Sequence, residues 1–283
     1  MHGASTTVDI TKVRNAHAAW CKDDVATEEP LELQICSGTA STAAARSISI
    51  TMRTPGNDIE LALGFLAGEA IISCIDDVLT AEHCGAEDPE TGFRNTVRIE
   101  LRPDLAFDLE QLQRNFYTTS SCGVCGKTSI DALRVSGCTA IDSVFSIDHD
   151  NLLGMPASLR SEQRVFDKTG GLHAAAAFNA RGDIVVVHED VGRHNAVDKV
   201  IGSLLRDKRL PAADLGLLVS GRASFELVQK TLVAGIPLLA AVSAPSSLAV
   251  TLARDFGITL VGFLRDSGFN IYAGEQRIAK DNG

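Results

Sequence analysis

The sequence predicts an α/β protein in which a small α+β unit precedes a larger α/β sandwich, and three observations carry that expectation. In the first third, short runs alternate apolar and polar residues, as in Leu31-Glu32-Leu33-Gln34-Ile35-Cys36 and in the stretch from Arg46 to Thr54, which is the period of half-buried strands. In the second half, buried-looking apolar runs alternate with segments of helical period, the order of a sheet with helices on its faces. The chain has 283 residues, above the roughly 100–200 of a usual single domain. The division that follows is a polar tail over 1–28, an α+β domain over 29–116, a cysteine loop and connector over 117–150, and an α/β domain over 151–283.

In order along the chain, the tail ends in the acidic Ala26-Thr27-Glu28-Glu29-Pro30 turn and is expected to hold at most one edge strand. Two strands close at the Pro55-Gly56 turn, and Asn57 and Asp58 are placed to cap a helix with Ile59, Leu63, Leu66, Ala70 and Ile71 on one face. Asn95 to Leu101 reads as a strand and Asp108 to Asn115 as a short helix. Asp142 to Asn151 reads as a polar connector. A helix is expected to start near Pro156 and to stop at Thr169-Gly170-Gly171. Two strands joined at Ala180-Arg181-Gly182-Asp183 come next. Then helix and strand alternate, with strands at Leu215–Gly221, Pro237–Ala244 and Ile258–Arg265.

Composition narrows the functional classes. Apolar residues make up 45% and charged ones 22%, and 26 basic against 36 acidic residues give a net charge of −10. Such a charge argues against whole-surface binding of nucleic acid or an anionic membrane. No stretch approaches the roughly 18 apolar residues of a membrane span, and the N-terminus has no signal-peptide core, so a cytoplasmic protein is expected. The seven cysteines, at 21, 36, 74, 84, 122, 125 and 138, form no disulfide framework. Cys21, Cys36, Cys74, Cys84 and Cys138 read as inert thiols.

Cys122 and Cys125 are different. They lie in Tyr117–Ser129, YTTSSCGVCGKTS, whose other residues are mostly glycine or hydroxylated, as in an exposed loop. A Cys-x-x-Cys pair can bind metal, form a redox disulfide or carry a transferable sulfur. Lys127 is placed to favour a thiolate, the nucleophile of sulfur exchange.

Ligands of such sheets bind where loops leave the strand ends. Three loops qualify: residues 169–173, residues 188–199 and residues 220–226. The second gathers His188, Glu189, Asp190, Arg193, His194, Asn195, Asp198 and Lys199 at a helix start, where backbone N–H groups and Arg193 favour an anion. The same residues also fit a capped, solvated helix face with pairs such as His194 to Asp198. Ser220-Gly221-Arg222 has the same form, a buried strand emptying into glycine and arginine.

Taken together and in order, SCGVCG, TGGLHAAA, EDVGRHNAVDK, SGRASFE and VGFLRDSGFNIY closely resemble the formate dehydrogenase accessory sulfurtransferases. The resemblance runs from about residue 28 to the C-terminus. It implies a cytidine-deaminase-like second domain and a homodimer. It implies that sulfane sulfur is taken from a cysteine desulfurase as a cysteine persulfide and passed to the molybdenum (or tungsten) bis(molybdopterin guanine dinucleotide) cofactor before insertion into apo formate dehydrogenase. By that resemblance the persulfide falls on Cys122, with Cys125 assisting, and the cofactor is associated with Phe263, Leu264, Arg265, Asp266, Ser267 and Gly268. Arg193, His194 and Arg222 would meet its phosphates, Phe263 would stack on guanine, and GDP would serve as an analogue.

Two other classes compete. A zinc nucleobase deaminase needs His-x-Glu followed by Pro-Cys-x-x-Cys, whereas here His173 is followed by Ala174 and Ala175, and the Cys-x-x-Cys comes earlier with no proline before it. A structural zinc or redox module wants a second cysteine pair or a βαβ setting, and neither is evident. A cofactor chaperone without sulfur chemistry also fits the residues.

Overall fold

A computed structural model describes residues 3–37, 45–105 and 138–279. The helix expected at 108–115 and the cysteine loop at 117–129 lie outside the described residues. The first sheet has four strands in the order β4-β3-β6-β5, formed by β3 (Glu29–Ser37), β4 (Arg46–Arg53), β5 (Val78–Cys84) and β6 (Thr96–Leu101). Alternation gives it one apolar face, where Leu31, Leu33, Ile35, Val97 and Ile99 are buried. That face is covered by α1 (Asp58–Gly68).

The start of α1 departs from the expected cap. Asn57 is left-handed (φ 56°) and makes no side-chain capping bond. Asp58 instead accepts from both Arg53 Nε and Nη2, each at 2.9 Å, and from the Gly56 N–H at 3.3 Å. The carboxylate fixes the turn by pairing with a fully buried guanidinium.

The second sheet has six strands in the order β13-β12-β11-β10-β8-β9: β8 (His173–Phe178), β9 (Ile184–Asp190), β10 (Gly216–Val219), β11 (Leu238–Ala241), β12 (Thr259–Arg265) and β13 (Gly268–Ala273). Strands β10, β11 and β12 are parallel, and β8 is antiparallel to both β9 and β10. Hence β9 to β12, β8 aside, all run one way. β13, which the sequence showed only as part of a motif, returns antiparallel to β12. On one face lie α4 (Arg193–Arg206), α5 (Phe225–Val233) and α6 (Ser247–Asp255), and on the other α2 (His149–Glu162). The predicted α/β class is the observed one.

Three local expectations need correction. Residues 5–26 are not a tail with at most one edge strand but a hairpin of β1 (Ser5–Arg14) and β2 (His17–Ala26), turned by Asn15 and Ala16 at φ 48° and 61°. Two positive φ values match the turn that suits strand twist, and the usual glycine signal is missing. The helix expected from Pro156 begins at His149, inside the supposed connector and just after the two-residue strand β7 (Ile147–Asp148), with Pro156 in its interior. It breaks at Gln163 into α3 (Arg164–Thr169), which ends on left-handed Gly170 (φ 65°) as the Thr-Gly-Gly signal implied.

The two halves share one core. A continuous cluster runs from Leu31 and Val97 through Leu61 and Leu66 of α1 to Val197, Ile201 and Leu227. Contact between α1 and α4 is made backbone to backbone at two glycines. A Cβ on Gly64 would lie 1.7 Å from the Asp198 carbonyl oxygen, and one on Gly202 would lie 1.9 Å from that of Glu60.

Candidate functional site

Because β9, β10, β11 and β12 share a direction, their carboxyl ends meet at one sheet edge, and α4, α5 and α6 begin at that edge. Their exit loops are hydrogen-bonded in sequence. Ser220 N–H donates to Ala174 O (2.9 Å), Val242 N–H to Val219 O (3.0 Å), Ser243 N–H to Gly221 O (3.3 Å), Ser246 N–H to Ala223 O (3.0 Å) and Phe263 N–H to Ser243 O (3.1 Å). Three helix N-termini directed at one edge give it positive partial charge.

Side chains add to it. Gly221 brings the loop close to Arg193 and His173, since a Cβ there would lie 3.8 Å from Arg193 Cδ and 3.5 Å from His173 Nδ1. Arg193 Nε is buried with no hydrogen-bond partner among the described residues, and Arg222 is exposed. His194 Nε2 lies 3.3 Å from Glu226 Oε2 and 3.4 Å from Ser224 Oγ. The hydrogen bond from His194 outweighs partial burial and holds the Glu226 carboxyl down at about 2. Burial, then the nearby Arg193 and His194, lowers the pKa of His173 and so favours its uncharged ring.

Most of the polar stretch from His188 to Lys199 does something else. Asp190 and Lys199, both almost fully buried, pair at 2.7 Å. Asp190 accepts from the Thr54 N–H (3.1 Å) and from Asn195 Nδ2 (2.9 Å); Lys199 donates to Thr54 O (2.9 Å) and Asn195 to Met52 O (2.8 Å). This network fastens the end of β4 to the second sheet. Glu189 accepts the Val165 and Phe166 N–H groups at the start of α3. The expected pair of His194 with Asp198 is absent. His194 faces Glu226, and Asp198 lies 2.7 Å from Lys230. Burial opposes the Lys230 charge, yet the Asp198 and Glu69 carboxylates raise its pKa. Only Arg193 and His194 of this stretch serve the edge.

The segment from Phe263 to Gly268 divides similarly. Phe263 is 44% exposed and left-handed (φ 53°), at a register shift in β12. Leu264 is fully buried in the core beneath α2. Arg265 donates to the Val242 and Leu264 carbonyls. Asp266 and Ser267 form the exposed turn into β13, and Gly268 pairs back with Arg265. The side chains of Phe263 and Arg265 therefore join the edge, and that of Leu264 does not. Sequence reasoning missed the Val242–Ser246 loop, although it has the signal used for Ser220-Gly221-Arg222: a buried strand, hydroxyls and a helix start. Ser246 caps α6 by accepting from the Ala249 N–H at 3.3 Å. At the position a deaminase would give its glutamate stands Ala175, fully buried. Cys122 and Cys125 lie outside the described residues.

A model of the FdhD/NarQ family matches residues 26–279. The chain belongs to this family. Its relatives include proteins named sulfur carrier protein FdhD from Mycolicibacterium paratuberculosis, 50% identical over 271 residues (95% of this chain, 97% of the relative), and Streptomyces avermitilis, 47% identical over 273 residues (95% and 94%). One from Sulfurisphaera tokodaii is 42% identical over 271 residues (96% and 98%). Among solved structures, the chain is similar to a protein from Desulfotalea psychrophila assigned as a formate dehydrogenase accessory protein. The TM-score is 0.74 at 22% identity, covering 98% of this chain and 100% of that one, a likeness of fold. No helix among the described residues is long and apolar enough to cross a membrane.

Proposed function

We propose that this member of the FdhD/NarQ family is a sulfur carrier in formate dehydrogenase maturation, acting as a homodimeric sulfurtransferase. The Cys122 thiolate attacks the sulfane sulfur of a cysteine desulfurase persulfide, the donor leaves as a thiolate, and Cys122 retains the sulfur, with Cys125 as a second acceptor. The recipient is the molybdenum or tungsten bis(molybdopterin guanine dinucleotide) cofactor, destined for apo formate dehydrogenase. The observation that carries this reading is the sheet edge, where three helix N-termini, Arg193 and Arg222 suit the phosphates of such a substrate, in a chain up to half identical to named sulfur carriers.

Chain length is compatible with contact between thiol and edge. Ile141 is fastened at the far end of α6, its N–H donating to Phe256 O (2.9 Å) and its carbonyl accepting from Arg277 (3.1 Å). Cys122 lies sixteen positions before Cys138, a length that spans at most about 55 Å, while β12 needs only about 23 Å to run from that anchor to the site edge.

Incubating the chain with a desulfurase and cysteine, followed by mass spectrometry, tests the reading. One added sulfur on Cys122 is expected, lost in Cys122→Ala and kept in Cys138→Ala. Undiminished sulfur loading and formate dehydrogenase maturation by Cys122→Ala would sink it.

A further inference from the structure

A carboxylate is out of keeping with a sheet edge that suits an anion, yet Glu226 stands there, on the first turn of α5 and 46% exposed. Near a phosphate it would repel. Its surroundings hold it ionised all the same: the hydrogen bond from His194, and after it that from the Ser224 hydroxyl, outweigh partial burial. Ser224 serves this carboxylate and not its own helix. It is the N-cap residue of α5 and makes no capping bond, whereas Ser246, at the same place before α6, caps its helix.

The arrangement decides where His194 keeps its proton. An ionised carboxylate only accepts hydrogen bonds, so the Nε2 that faces it at 3.3 Å carries the hydrogen. Nδ1 has no hydrogen-bond partner among the described residues, and the side chain is 37% exposed. With Nε2–H fixed, Nδ1 of the neutral ring is a bare acceptor, which an anion avoids. Nδ1 of the charged ring is a donor, which an anion seeks.

The other charges around the ring do not take the place of Glu226. Asp198, one turn along α4, faces Lys230 of α5 at 2.7 Å, and Lys230 also lies 4.0 Å from Glu69 at the end of α1. Asp190 is paired with Lys199. Arg193 adjoins His194 on α4, His173 approaches from β8 with its charge disfavoured by burial, and Arg222 is exposed in the loop before α5. Cations at that edge oppose a charge on His194, and Glu226 is the carboxylate in contact with the ring that favours one.

We infer that Glu226 is a positioning residue: it pins one proton on His194 Nε2 and supports a second on Nδ1, which the ring takes from solvent as a phosphate reaches the edge. The Nδ1–H bond forms, and the site gains one positive charge against the ligand. The inference rests on the phosphate-binding edge of the proposed function and deepens it by coupling ligand capture to proton uptake. Where the free ring is already charged, binding draws no proton and affinity is highest; as pH rises past that range, affinity falls. Without the Glu226 charge the fall comes at lower pH.

Calorimetry with GDP at pH 5.5 and pH 7.5, in buffers of different ionisation enthalpy, tests this. At pH 7.5 wild type should take up more protons per GDP than His194→Gln, by up to about one; the titration of GDP itself is common to both. Glu226→Gln keeps an acceptor for Nε2 and loses the charge. Its affinity relative to wild type should fall by about two- to fivefold between pH 5.5 and pH 7.5, the scale of a half-exposed ion pair. A carboxylate that merely repels the ligand would leave this variant the better binder at both pH values, and a purely structural contact would weaken it equally at both; either result overturns the inference. Equal proton uptake by wild type and His194→Gln also overturns it and leaves the binding edge standing. A wild type that does not bind GDP overturns the edge and the inference together.

Discussion

Arg193 and Arg222 stand at the same sheet edge but are held differently. Arg193 has its Nε buried and unpaired among the described residues, while Arg222 is exposed. A partly desolvated guanidinium gains more from a phosphate than a solvated one. Arg193→Ala is therefore expected to weaken GDP binding by tenfold or more, about 1.5–3 kcal/mol, and Arg222→Ala by less. Calorimetry checks this, and equal binding by wild type and Arg193→Ala would remove Arg193 from the pocket. A second residue-scale effect shows itself only on acidification. His188 bonds Ser203 Oγ at 2.8 Å, and burial, reinforced by Lys199, lowers its pKa from 6.5 to about 4. The unfolded chain then binds more protons between these values, so this contribution is present above pH 6.5 and is lost as pH falls through 4. The loss is of order 3 kcal/mol. Urea unfolding of His188→Gln at pH 7 and pH 4.5 should show a smaller pH dependence than wild type, and an unchanged one would contradict the assignment.

At the scale of elements, the α1–α4 crossing admits a sharp comparison. A methyl on Gly64 meets the Asp198 carbonyl at 1.7 Å, whereas a Cβ on Gly154 in α2 meets nothing within 4 Å. Gly64→Ala must push the helices apart and should cost at least about 1–3 kcal/mol, the usual range of overpacking. Gly154→Ala should be neutral or gain up to about 1 kcal/mol from helix propensity. The urea midpoint of Gly64→Ala is expected below wild type and that of Gly154→Ala at or above it; a tolerated Gly64→Ala would contradict the close packing. The sequence made the second sheet legible because β10, β11 and β12 are buried on both faces and read as unbroken apolar runs between helical periods. It hid the β1–β2 arm, because a strand pair off the core needs no apolar alternation and Asn15-Ala16 carries no turn glycine. The site was half legible. Strand ends pointed to Arg193, His194 and Arg222, but one stretch of polar residues does not show which side chains turn inward, and so Asp190, Asn195 and Lys199 looked no different from their neighbours.

Those inward-facing residues determine how the whole molecule unfolds. The sequence suggested separate α+β and α/β domains, yet Asp190, Lys199 and Asn195 bind the backbone of Met52 and Thr54, and a single apolar cluster passes from the first sheet through α1 to α4 and α5. Neither sheet can lose its partner without exposing that cluster, so the two should open together with one free energy. Native-state hydrogen exchange is expected to give β3 and β6 the same opening free energy as β10 and β11. Lys199→Met leaves Asp190 as a buried carboxylate without its cation, a change that typically costs about 3–5 kcal/mol, and it should lower both sets of amides by the same amount. If β3 and β6 exchanged through a cheaper opening in wild type, or fell alone in Lys199→Met, the junction would be a docking contact between two independent domains and the sheet edge would stand on the second half by itself.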